Sequence, residues 1–174
     1  MATDISDRLQ PALLDRLTDD GPQGDGTDFR VMSKAQLRHA VLRDLGVLLN
    51  TTQPSARTLP TRETDAAIAA SVLNFGLPPL AGRLQHKIDI DALEAEIAQA
   101  IKRFEPRIRA ESLVVRALRP TRVLETHNVI ELRIQGELWS QPVPQEILLR
   151  TQLNLEAGQV EISDGAPAPT SRRV

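Results

Sequence analysis

Apolar residues recur along this chain with two periods, three to four residues up to Phe104 and two residues beyond it, so helices are expected first and strands afterwards. Leu9, Leu13, Leu14 and Leu17 share one helical face, and Pro11 suits a first turn, which predicts a short amphipathic helix within residues 1–18. The polar, breaker-rich run from Asp19 to Gly26 predicts a flexible linker over 19–32. Ser33 and Gln36 stand at capping-box spacing before Leu37, Val41, Leu42, Leu45, Leu48 and Leu49, predicting a second helix that stops near Asn50. Arg38, Arg43 and Asp44 fall on its other, solvated or partner-facing side. A third apolar-periodic stretch, Ala66 to Leu73, must turn at Asn74-Phe75-Gly76-Leu77-Pro78-Pro79. In the fourth, Asp91 and Glu94 have capping-box spacing, Leu93, Ile97, Ala100, Ile101 and Phe104 form one stripe, and Pro106 sets the boundary at Glu105.

Beyond that boundary Leu113 to Leu118 is β-capable. Ile130, Leu132, Ile134, Gly136 and Leu138 alternate with Glu131, Arg133, Gln135, Glu137 and Trp139. Thr151, Leu153 and Leu155 form a further alternating run, and a turn at Glu156-Ala157-Gly158-Gln159 leads into Val160-Glu161-Ile162. The pattern predicts an α+β fold in which N-terminal helices pack on one face of a small antiparallel sheet whose other face is wet. That domain is expected over residues 33–163, with a disordered tail over 164–174.

Composition narrows the function classes. The 174 residues are 41% hydrophobic and 25% charged, with 21 basic against 23 acidic side chains, so charge balance suggests neither a nucleic-acid partner nor an anionic membrane surface. Absence of cysteine excludes disulfides, thiolate metal sites and cysteine nucleophiles. The amino terminus lacks a signal-peptide pattern and no stretch reaches the length of a bilayer span, so a soluble, cytoplasmic chain without direct membrane insertion is expected.

No catalytic set emerges. His39, His86 and His127 lie in separate segments without ligand spacing, and the acidic run Asp89, Asp91, Glu94, Glu96 lacks the glycine and distal glutamate of a calcium loop, so helix capping is its simpler reading. Phosphate-loop, dinucleotide, zincin and hydrolase-elbow motifs are all missing. No catalytic residue, metal or cofactor is expected, although the spacing a two-carboxylate glycosidase needs is not legible in a sequence. Binding features are better marked. Trp139, the only tryptophan, is either a partner anchor or packed beneath Pro142-Val143-Pro144. Glu105-Pro106-Arg107 fixes a helix exit between opposite charges, which by itself reads as a stop with a surface ion pair worth at most about 1 kcal/mol. Edge strands of an open sheet offer unpaired backbone to an incoming strand.

Three segments, read in order, alter this weighting: Leu37 to Thr51 (LRHAVLRDLGVLLNT), Ser71 to Pro78 (SVLNFGLP) and Ala100 to Arg107 (AIKRFEPR). Together with Gly136 to Pro144 and Leu149 to Gly158, they resemble the TssE family of type VI secretion baseplate proteins, itself grouped with the small wedge protein of contractile phage tails. The resemblance spans residues 8 to 163 and implies a structural wedge subunit rather than an enzyme. By resemblance, Glu105, Pro106 and Arg107 would contact the helical core bundle of neighbouring wedge subunits of the TssF, TssG and TssK types. The sheet would template the first ring of contractile sheath subunits, in a baseplate docked at the inner membrane. Two rival functions follow from other premises: a peptidoglycan-cleaving enzyme, from the lysozyme-like label attached to such proteins, and an adaptor for an unrelated helical partner.

Overall fold

The computed structural model describes residues 33–54, 71–82, 88–118, 128–140 and 144–165. The helix expected within 1–18, the linker over 19–32, His86 and His127 lie outside them. Helix α1, Lys34–Asn50, begins at the expected capping box: Ser33 Oγ accepts from the Gln36 amide, and Gln36 Oε1 accepts from the Ser33 amide at 2.8 Å. Its buried stripe is Leu37, Ala40, Val41, Leu45, Leu48 and Leu49. Helix α2, Ile90–Phe104, buries Leu93, Ile97, Ala100 and Ile101 and ends at Glu105, where the proline required it to end.

The start of α2 corrects the capping prediction. Asp89 is the cap, accepting from the Ala92 amide at 3.2 Å, and Asp91 merely sits in the first turn. Glu94, expected to complete a capping box, is buried and faces the sheet instead. The expected stretch through Leu73 also differs: Val72–Asn74 is one 3-10 turn in which Val72 and Leu73 are exposed. Residues 66–70 lie outside the described set.

Four strands, β1 (Val114–Ala117), β2 (Val129–Leu138), β3 (Gln145–Asn154) and β4 (Gln159–Asp164), form one antiparallel meander in the order β1-β2-β3-β4. The register places Ile130 opposite Leu153, Leu132 opposite Thr151 and Ile134 opposite both Leu149 and Val115, so a single apolar face is built from alternate residues. The two helices cover that face, which makes the fold α+β as the periodicities indicated. Strand β3 starts six residues before the expected Thr151, and β4 runs through Asp164, which therefore belongs to the sheet.

Gly76 holds the turn after the 3-10 segment against α1. Its φ of 118° favours glycine, and a Cβ there would overlap the carbonyl of Thr51. The reciprocal bonds Gln53 N to Leu77 O and Leu77 N to Thr51 O, both 2.8 Å, then fasten this turn to the end of α1.

Candidate functional site

The helix stop at Glu105 opens a turn that becomes part of the sheet. The Arg109 amide donates to the Glu137 carbonyl at 2.9 Å, and the Trp139 amide donates to the Arg107 carbonyl at 2.7 Å, so residues 107–109 pair with the end of β2 as a short extra rung. Ile108, at the centre of that rung, is buried opposite Leu138. Space for it comes from Gly136, since a Cβ at that position would lie only 3.0 Å from Ile108 Cγ2. Two residues distant in sequence, Arg107 and Trp139, are thereby joined directly through the backbone.

The ion pair expected at the surface is not a surface pair. Glu105 is 3% exposed, and its carboxylate accepts Arg107 Nε at 2.7 Å and Nη2 at 2.5 Å, a bidentate fork. The same Nη2 donates to Asp44 Oδ2 of α1 at 2.6 Å, and Arg43 Nε donates to Asp44 Oδ1 at 2.9 Å. Two carboxylates and two guanidinium groups thus form a charge-balanced cluster linking α1 to the exit of α2. The fork from Glu105 raises the affinity of Arg107 for its proton against the opposing effect of burial, with Asp44 adding to it. Burial pushes the Asp44 carboxyl up, but the hydrogen bonds from Arg43 and Arg107 outweigh it and hold the group below its ordinary value.

Of the four residues singled out in the sequence, Glu105 is internal and acts by holding Arg107. Pro106 is exposed, Arg107 keeps 24% of its side chain accessible, and Trp139 is 56% exposed beside it. Asp44 was missed as a member of the cluster because its place on the polar side of α1 reads as solvation. The signal was its adjacency to the apolar stripe, next to Leu45 and three residues after Val41.

Nothing in this arrangement performs acid–base or nucleophilic chemistry, because both carboxylates are committed to guanidinium groups. Among the described residues no group of three or more metal-ligating side chains comes together, and no helix is long and apolar enough to cross a membrane. A groove between α2 and the Gly76 turn, lined by Gln53, Gln99, Arg103 and Phe104 among others, carries a single carboxylate, Glu96, where a glycosidase needs two.

Residues 35–143, more than half of the chain, match the family model described as baseplate wedge protein gp25. No curated protein and no solved structure matches the chain.

Proposed function

The chain belongs to the baseplate wedge protein gp25 family, and on that premise we propose that it is the TssE-type component of a type VI secretion baseplate, joining wedge subunits and starting sheath assembly. Family membership makes it a structural component of contractile-tail machinery and not an enzyme. The finer reading is supported above all by the rung at residues 107–109, which sets the partly accessible Arg107 and the exposed Trp139 side by side through a backbone hydrogen bond. Arginine and tryptophan are the side chains most enriched at interface hot spots, and a preorganised pair loses little entropy on docking.

On this reading the partners are helical segments of TssF, TssG and TssK-type wedge subunits at the Arg107 and Trp139 surface, with contractile sheath subunits on the sheet. Assembly takes place in the cytoplasm, in a baseplate at the inner membrane. Trp139→Ala leaves the buried cluster intact, so it separates docking from folding. Pull-down of the wedge subunits by this variant should weaken about 30-fold, the equivalent of roughly 2 kcal/mol for a hot-spot anchor, with an unchanged melting curve. Undiminished capture of the wedge subunits by Trp139→Ala would remove Trp139 from the interface. Failure of the unmodified chain to capture them would defeat the reading as a whole.

A further inference from the structure

The face of the sheet turned away from the helices carries its charges in rows. Register sets Arg116 of β1 opposite Arg133 of β2, Arg133 opposite Arg150 of β3, and Arg150 opposite Ser163 of β4, so arginines stand abreast on adjacent strands. The Leu155 amide donates to the Asn128 carbonyl at 2.8 Å, and alternation from that hydrogen-bonded pair makes Arg133 and Arg150 a non-hydrogen-bonded pair, the closer of the two cross-strand spacings. Like charges directly opposite one another destabilise a sheet. Both arginines are exposed, and among the described residues neither meets a carboxylate; Arg133 Nη2 donates to Gln135 Oε1 at 3.4 Å. Arg116 closes the row at the β1 edge, where its Nη1 donates to Glu94 Oε2 at 2.8 Å while its side chain stays 71% exposed.

The neighbouring rows restrict what can lie there. On one side stand Glu131 and Glu161, and on the other, past one intervening row, Glu137 faces Glu146. A nucleic acid or an anionic membrane is negative throughout and would meet these carboxylates as well as the arginines. A single line of carboxylates on a protein meets the arginine row alone. In the intervening row Val114 is 47% exposed and Leu148 half-buried, on either side of Gln135, which offers apolar contact beside the charges. Neighbouring strands lie about 4.8 Å apart, so the row from Arg116 to Arg150 spans about 10 Å. Carboxylates at i, i+3 and i+7 of a helix also span about 10 Å, whereas alternate residues of an extended chain span about 13 Å.

We propose that this face docks an acidic helix of an assembly partner, laid across the strands with its carboxylates along Arg116, Arg133 and Arg150 and its apolar side chains on Val114 and Leu148. Both the surface and the chemistry of its ligand stand on the sheet, apart from the baseplate reading and from the Trp139 surface, so either can fail alone.

The probe is a labelled synthetic helix with glutamates at i, i+3 and i+7 beside leucines, titrated into the full chain at low ionic strength. The same residues scrambled, a DNA duplex and phosphatidylserine vesicles are its rivals. The helix should bind about 10-fold more tightly than the scrambled peptide, and added salt should weaken it. In Arg133→Gln/Arg150→Gln that preference should vanish while the urea midpoint holds or rises, since the repulsion between opposed cations is removed. Arg133→Glu/Arg150→Glu should instead prefer the helix rebuilt with lysines in place of glutamates. Equal binding of the scrambled peptide, a preference unaltered in the glutamine variant, or binding to DNA or vesicles as tight as to the helix each overturns the proposal. So does a fall in the urea midpoint of the glutamine variant, which would make the arginines part of the scaffold.

Discussion

Arg107 is paired with two carboxylates, Asp44 on α1 and Glu105 at the exit of α2, so its removal is felt at both. Arg107→Ala strips the nearly buried Glu105 of its guanidinium fork and leaves it only the amide of residue 107, and a loss of about 3–5 kcal/mol in urea unfolding is expected. Asp44→Asn keeps the Glu105 fork and should cost less, about 1–2 kcal/mol. Arg107→Lys retains the charge but cannot form the fork, and should fall between them. Acid stability depends on the same chemistry. The amide of Ala117 and, after it, Arg116 hold the Glu94 carboxyl below its ordinary value against the effect of burial, and Asp44 is lowered as well. With folded values below the unfolded ones, the unfolded chain takes up protons first as pH falls. The stability these groups contribute is therefore complete above their ordinary unfolded values, from about pH 5 upward, and is lost as pH falls through their lowered folded values. Asp44→Asn and Glu94→Gln should each flatten the acid limb of stability against pH, measured by urea unfolding between pH 6 and 2.5.

At the scale of elements, the Glu-Pro-Arg rung is held by a glycine rather than by the proline. Gly136→Ala would drive its Cβ toward Ile108 Cγ2, displacing the rung that carries Arg107 and pairs with Trp139. A cost of about 1–3 kcal/mol is expected, together with a shift in the emission of the lone tryptophan, because overpacking here moves the backbone that Trp139 bonds to. In the sequence Gly136 read only as one more position of an alternating strand. The helix limits at Ser33, Asn50 and Glu105 were legible because caps and prolines act locally. Helix capping, read for the whole acidic run, holds for Asp89 and fails for Glu94, because a carboxylate that caps its own helix cannot be told in sequence from one that caps a distant strand. The first half of β3 was missed because the doublet Leu148-Leu149 blurs the alternation that Ile147, Leu149, Thr151 and Leu153 keep.

For the whole molecule, the fold class followed from where the hydrophobic period changes, whereas the candidate site depended on contacts that no local pattern encodes. Arg107 meets Asp44 across 63 positions, and Asn50 meets Val160 across 110. The second of these contacts covers the edge of β4 at Val160. Asn50→Ala removes the acceptor for the Val160 amide, the donor for the Val160 carbonyl and the 2.8 Å bond to the Gly46 carbonyl that seats the side chain. Roughly 1–3 kcal/mol of stability should be lost, and the edge of β4 should be uncovered at Val160. An uncapped edge of an antiparallel sheet pairs with whatever extended backbone it meets, including a second copy of itself. Asn50→Ala should therefore associate with rising concentration in sedimentation, whereas Asn50→Asp keeps an acceptor for the amide and should remain closer to the unmodified chain. If Asn50→Ala is destabilised and yet stays monomeric at every concentration, the side chain serves only to end α1. If association appears, the same amide that finishes the helix also keeps the edge of β4 from pairing with another copy.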